Sequence, residues 1–224
     1  MKTETINFET KNGATTAFIA QPETEGVPAA VILIQEWWGL NDHVRDIAKR
    51  YAQEGFLCVA PDLFRGQLAK DVGEASRMMH ALAIDDGINI INHAIEETTE
   101  RYGVQKLGIT GYCMGGTFAL RAACEIPALG AAAPFYGDIP DEATLSGLKV
   151  PTLFIAGARD NWITPEKVEG LKEAARRYDL PVEVVSYDAD HAFFNDTRPE
   201  VYNAEAAADA WQRVLKLFGE RLRG

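Results

Sequence analysis

Eight residues, Ile109-Thr110-Gly111-Tyr112-Cys113-Met114-Gly115-Gly116, constrain the fold more than any other part of the chain. An apolar run enters a glycine-flanked turn and leaves it as a helix, which is the pattern of a nucleophile elbow with cysteine at the nucleophile's place. Gly111 and Gly115 carry no Cβ, so the chain can double back and two backbones can pass close together around Cys113. The expectation is a thiol lifted out of a sheet toward a ligand. The plainer alternative is a small buried cysteine at an ordinary strand-to-helix turn.

The flanking sequence supplies the sheet. Residues 3–9 and 14–21 read as an antiparallel opening pair around Lys11-Asn12-Gly13, whose Asn-Gly step favours the φ > 0 residues of a tight hairpin. After a loop from Pro22 to Pro28, residues 29–34 form a continuous apolar run, as in a strand covered on both faces. Asn41 is placed to cap a helix with Val44, Ile47, Ala48, Tyr51 and Ala52 at helical spacing and Gly55 as its stop. Residues 56–60 are a second buried strand, halted by Pro61. Residues 71–101 read as helical, with Ile84, Ile88, Ile91 and Ile95 as the core-facing stripe.

Residues 106–110 lead into the elbow and a helix runs from Gly116 to about Cys124. Further strands are expected at 130–136, 150–156 and 182–186, and the last helix carries Trp211, Leu215, Phe218 and Leu222 on one face. Strands alternating with helices imply an α/β protein with about eight strands in a mostly parallel sheet and helices on both faces. Right-handed crossovers gather the ligand-binding strand ends on one edge, and Cys113 sits there.

With 224 residues, 47% of them hydrophobic, the chain suits one domain spanning 1–224. Its net charge of -11 and lack of any lysine or arginine run argue against nucleic acid or an anionic membrane as partner. The polar start, Met1-Lys2-Thr3-Glu4-Thr5, has no secretory apolar core behind it, and no stretch reaches the roughly 18 apolar residues of a spanning helix. A cytoplasmic protein, expected as a monomer, is the reading. Cys58, Cys113 and Cys124 make neither a disulfide framework nor a metal-ligand spacing, so no metal site is expected.

A free thiol has a pKa of about 8.5 and needs a base or a positive field to act as a nucleophile. Among His43, His80, His93 and His191, the first three fall within helical segments. His93 reads as a solvated side chain off the apolar stripe. The elbow predicts the order nucleophile, acid, histidine, which leaves His191, in a loop after the 182–186 strand. The acid that orients it should lie on a strand-end loop between the two. Asp160 is chosen over Asp138, Asp179, Asp188 and Asp190; its alternative roles are pairing with Arg159 or capping the helix near Pro165.

Glu36 follows six apolar strand residues, a costly place for a carboxylate without a partner. It lies in the loop that supplies one oxyanion donor in such sites, so the N–H groups of Trp37 and Met114 are the expected pair. Glu36 could hold the resting thiol protonated or take its proton; alternatively it is a structural carboxylate bridged to arginine. Trp37, Trp38, Tyr136 and Phe193 are expected to line an apolar pocket.

Taken together, Gln35-Glu36-Trp37-Trp38-Gly39, Pro61-Asp62-Leu63-Phe64, Gly111-Tyr112-Cys113-Met114-Gly115-Gly116 and His191-Ala192-Phe193 resemble the dienelactone hydrolase (carboxymethylenebutenolidase) family over nearly the whole chain. The resemblance implies the α/β-hydrolase fold, a triad of Cys113, Asp160 and His191, and Glu36 as the carboxylate beside the thiol. It further implies no metal or organic cofactor and hydrolysis of the enol-lactone 4-carboxymethylenebut-2-en-4-olide to maleylacetate through a thioester, in aromatic degradation. Family members active on that lactone bind its carboxylate with arginines, one of them four residues after the histidine. Here that position is Asn195; Arg198 and Arg77 are the candidate replacements. A broader carboxylesterase or thioesterase is therefore the second reading, and a non-catalytic ligand-binding module a third.

Overall fold

A computed structural model of the chain describes residues 1–23, 26 and 29–223; Thr24, Glu25, Val27 and Pro28, in the loop from Pro22 to Pro28, lie outside the described residues. Eight strands form one sheet in the order β1-β2-β4-β3-β5-β6-β7-β8. β1 (Lys2–Phe8) and β2 (Thr15–Gln21) pair antiparallel, and β2 pairs antiparallel with β4 (Leu57–Pro61). The rest is parallel: β3 (Ala30–Ile34) between β4 and β5 (Leu107–Tyr112), then β6 (Leu129–Phe135), β7 (Thr152–Gly157) and β8 (Val182–Tyr187). The continuous apolar runs of β3, β4 and β5 are buried along their whole length, because helices cover both faces of the sheet.

Alternate residues of each central strand feed two cores. Ile32 and Ile34 join one cluster with Ile91, Ile95 and Phe118, while Val31 and Leu33 join the other with Ile47, Tyr51 and Phe218. Helix α1 (Asp42–Gln53) begins where expected: the Asn41 side chain accepts a hydrogen bond from the Val44 N–H, and Gly55 turns the chain with φ 85°. The last helix, α7 (Ala204–Leu222), buries Ala206, Ala210, Val214, Phe218 and Leu222; Trp211 and Leu215 are only partly covered and form its margin.

Two local expectations are corrected. The opening hairpin does not turn on an Asn-Gly pair in left-handed conformation. A Thr10–Gly13 turn closes it, with reciprocal backbone bonds of 3.2 Å and Gly13 alone at φ 113°. The 71–101 segment is two helices, α2 (Val72–Ala81) and α3 (Ile84–Tyr102), because Leu82 and Ala83 are extended. Ile84 is consequently 38% exposed at the start of α3, and the buried stripe is Gly87, Ile90, Ile91, Ala94, Ile95 and Thr98. Among the described residues no helix is long and apolar enough to cross a membrane.

Candidate active site

β5 ends at Tyr112 and α4 (Met114–Glu125) begins one residue later, so Cys113 alone makes the turn, at φ 56° and ψ -118°. A non-glycine residue held there is strained, and such strain persists only where the surroundings fix it. The surroundings are backbone. A Cβ on Gly115 would lie 2.3 Å from the Ile34 carbonyl oxygen and 2.5 Å from that of Gln35. One on Gly111 would lie 2.2 Å from the Gly115 oxygen. The glycines thus let β3, β5 and α4 meet at the elbow. Gly115→Ala is expected to lower stability by about 1–3 kcal/mol through forced backbone separation, read as a reduced urea midpoint at unchanged slope.

The thiol is 6% exposed. Its sulfur lies near the backbone N–H groups of Met114 and Trp37, the two donors expected from the sequence, and near the Glu36 carboxylate. Burial, with Glu36 and then Asp160 adding negative charge, pushes the Cys113 pKa far above its ordinary value against the pull of those N–H groups. In the resting geometry this is a protonated thiol.

Asp160 and His191 leave the C-terminal ends of β7 and β8 on neighbouring loops. His191 Nδ1 lies 2.6 Å from Asp160 Oδ2, while Asp160 Oδ1 accepts the N–H groups of Trp162 at 2.8 Å and Ile163 at 2.9 Å. Burial opposes charge on Asp160, but the bonds from His191 and the two backbone donors outweigh it and hold its pKa low. An ionised carboxylate makes Nδ1 the protonated nitrogen, leaving the Nε2 lone pair free in the neutral ring. Among the described residues, the buried Nε2 has no hydrogen-bond partner.

Asp160 therefore takes neither of its alternative roles. Arg159 pairs with Asp188 and Asp190 instead, and Thr164 caps α6 (Pro165–Tyr178). Each rival acid is occupied elsewhere: Asp138 with Lys167, Asp179 at the left-handed end of α6, and Asp188 and Asp190 with Arg159. The other histidines also have places. His93 pairs with Glu96, while His43 is buried 3.4 Å from Asp196.

Glu36 is 4% exposed and is not bridged to an arginine; Asn195 Nδ2 donates to its Oε2 at 2.8 Å. Asn195 cannot present its oxygen there, because that oxygen accepts the Thr197 N–H at 3.1 Å and hydroxyl at 2.6 Å. Burial raises the Glu36 pKa, against the Asn195 bond and the nearby His191 and Arg198.

Glu36, Cys113, Asp160 and His191 all open onto one cavity of about 690 Å³, whose wall includes Trp37, Trp38 and Arg198. Four expected pocket residues lie elsewhere. Tyr136 and Phe193 are fully buried behind the wall, where the Tyr136 ring packs edge-on against His191 at 5.0 Å and against Phe193 at 5.5 Å. The Tyr136 ring, just past β6, thus backs the imidazole, and Phe193 backs Tyr136. Asn195 is spent on Glu36, and Arg77 is an exposed residue of α2 away from the cavity.

The same helix supplies wall residues the sequence reading passed over. Ser76, Met79 and His80 face the cavity at i, i+3 and i+4 spacing, a signal legible only once α2 is separated from α3. Trp162 also lines it and flanks His191, with ring centroids 5.2 Å apart. Among the described residues no cluster of three or more His, Cys, Asp or Glu could hold a metal ion.

Strand order, elbow and the two loops after β7 and β8 define a protein of the α/β-hydrolase fold, with a thiol where the elbow turns. The sequence model described as "Dienelactone hydrolase family" matches residues 15–222. A protein of Aquifex aeolicus that carries the provisional name carboxymethylenebutenolidase is 31% identical over 97% of this chain and 98% of its own. One of the same provisional name from Yersinia pestis is 35% identical over 90% and 82%. A crystal structure of a provisionally assigned dienelactone hydrolase from Klebsiella pneumoniae superposes with a TM-score of 0.90 at 29% identity, covering 98% of this chain and all of that one. The chain belongs to the dienelactone hydrolase family.

Proposed function

We propose that this protein hydrolyses an enol-lactone or related small ester through a Cys113 thioester, with His191 as base and Asp160 as its orienting acid. The observation that supports it most is the shared cavity: a thiol on a strained elbow and an imidazole with a free, Asp160-oriented Nε2 open onto the same space.

The substrate carbonyl oxygen takes the Trp37 and Met114 N–H groups that lie near the sulfur at rest, and the thiol turns toward His191. Nε2 accepts the thiol proton as sulfur bonds to the carbonyl carbon, and the two N–H groups hold the resulting oxyanion. Collapse breaks the carbon–oxygen bond, and His191 returns its proton to the leaving oxygen. In an enol-lactone that oxygen stays tethered to the acyl group. Water, deprotonated by His191, then attacks the thioester and releases the acid and the thiol.

Burial first, and then the charge of the adjacent Glu36 carboxylate, keep the resting sulfur protonated. Glu36→Gln is expected to raise the rate of Cys113 alkylation by iodoacetamide at neutral pH about tenfold, since a like charge beside the thiolate is lost. An unchanged rate-against-pH profile removes Glu36 from this role.

The broader carboxylesterase or thioesterase reading is favoured by one observation: the position of the lactone-binding arginine is Asn195, bonded to Glu36 and away from the cavity wall. Turnover of the enol-lactone against simple aryl esters and thioesters separates the two. The binding-module reading predicts no acyl adduct on mixing with an activated ester.

A further inference from the structure

The cavity's charges are unbalanced. Its wall holds three carboxylates, Glu36, Asp160 and Asp190, and two guanidiniums, Arg159 and Arg198. Both cations are already partnered. Arg159 pairs with Asp188 and Asp190, the latter at 3.2 Å, and Arg198 Nε lies 2.8 Å from Glu200. The hydrogen-bond donor to Glu36 is a neutral amide rather than a cation. Even with a proton on Glu36, counting Asp188 and Glu200 leaves four carboxylates against two guanidiniums. The chain's net charge of -11 adds to the same field.

We infer that the site selects esters and lactones with an uncharged acyl group over those carrying a carboxylate, and that Asp190 and Glu200 set this preference by occupying the two arginines at the cavity. A carboxylate entering the cavity meets an excess of negative charge and finds both guanidiniums already shared with carboxylates; an uncharged chain meets Trp37, Trp38, Met79 and Trp162. This inference rests on the thioester reading and narrows its substrate class.

The test is a matched pair of substrates, 4-nitrophenyl hydrogen adipate and 4-nitrophenyl 6-methylheptanoate, which are similar in shape and differ in the terminal carboxylate. The full-length protein is expected to prefer the neutral ester in kcat/KM by about tenfold or more, the size of a like-charge penalty. Added salt should narrow the ratio. Glu200→Gln and Asp190→Asn, at side chains 59% and 49% exposed, should each shift the ratio toward the adipate severalfold by releasing Arg198 or Arg159. Equal rates on the two esters, a preference for the adipate, or a ratio unmoved by both variants overturns the inference. The thioester reading has its own readout: Cys113 acylation by the neutral ester. Its absence defeats that reading, whereas a Cys113 adduct with no charge preference defeats only the selectivity.

Discussion

Cys113→Ala is expected to lower kcat/KM on an aryl ester by about 10⁴-fold or more, because it removes the sulfur proposed to carry the acyl group. The backbone tolerates the change: alanine keeps the Cβ already present at the elbow, so the thermal midpoint should stay near that of the parent. The control thiol is internal. Cys124 is half-buried and Cys58 fully buried, so intact mass after brief exposure to an activated ester should show one acyl group on the parent and none on the variant. Turnover by Cys113→Ala at the parent rate, or an adduct mapped to Cys124, defeats the assignment.

The second large effect is expected at Asp160. In Asp160→Asn the amide oxygen is held in the Oδ1 place by the Trp162 and Ile163 N–H groups, which can only donate. The amide NH₂ then faces His191 Nδ1, where the carboxylate oxygen stood 2.6 Å away. A donor there forces Nδ1 to accept, so the ring proton moves to Nε2, the nitrogen proposed as the base. The expected loss in kcat is about 10⁴-fold at neutral pH, the scale found when an orienting carboxylate becomes an amide, with little change in KM. The native carboxylate is held ionised by His191 and the backbone. Its folded pKa lies below the ordinary value, so its stabilising contribution is present above that value and is lost as pH falls through the lowered one. The amide variant should lack that acid-side loss. A variant with near-parental kcat would assign Asp160 to holding the loop alone.

Much of this was legible in the letters because it rests on local rules. The elbow announces itself by glycines on either side of one residue, and the strand-end placement of Asp160 and His191 follows from chain order on a parallel sheet. Asn41 marks the start of α1 by its own side-chain bond to the Val44 N–H. What stayed hidden depends on contacts between distant segments. The α2–α3 break carries no glycine or proline, and Ala83 has no side chain to cap α3. Asp86, in the first turn of α3, is held instead by Arg65 and Asn12 from far along the chain.

Asn195 could not be read from spacing either. Its distance from His191 suggested a substrate contact, whereas its amide bridges Thr197 to a carboxylate 159 positions earlier. Tyr136 and Phe193 were expected to line the pocket; packing, which periodicity does not report, buries both, with the Tyr136 ring against His191 and Phe193 against Tyr136.

The shelter of the resting sulfur has a cost-free benefit under oxidative stress. Peroxides attack thiolates, and cysteines that are acidic and open climb quickly to sulfenic and then irreversible oxidation states. Cys113 at rest is covered, protonated and faced by a carboxylate. A thiol held this way offers a peroxide little of the thiolate it needs.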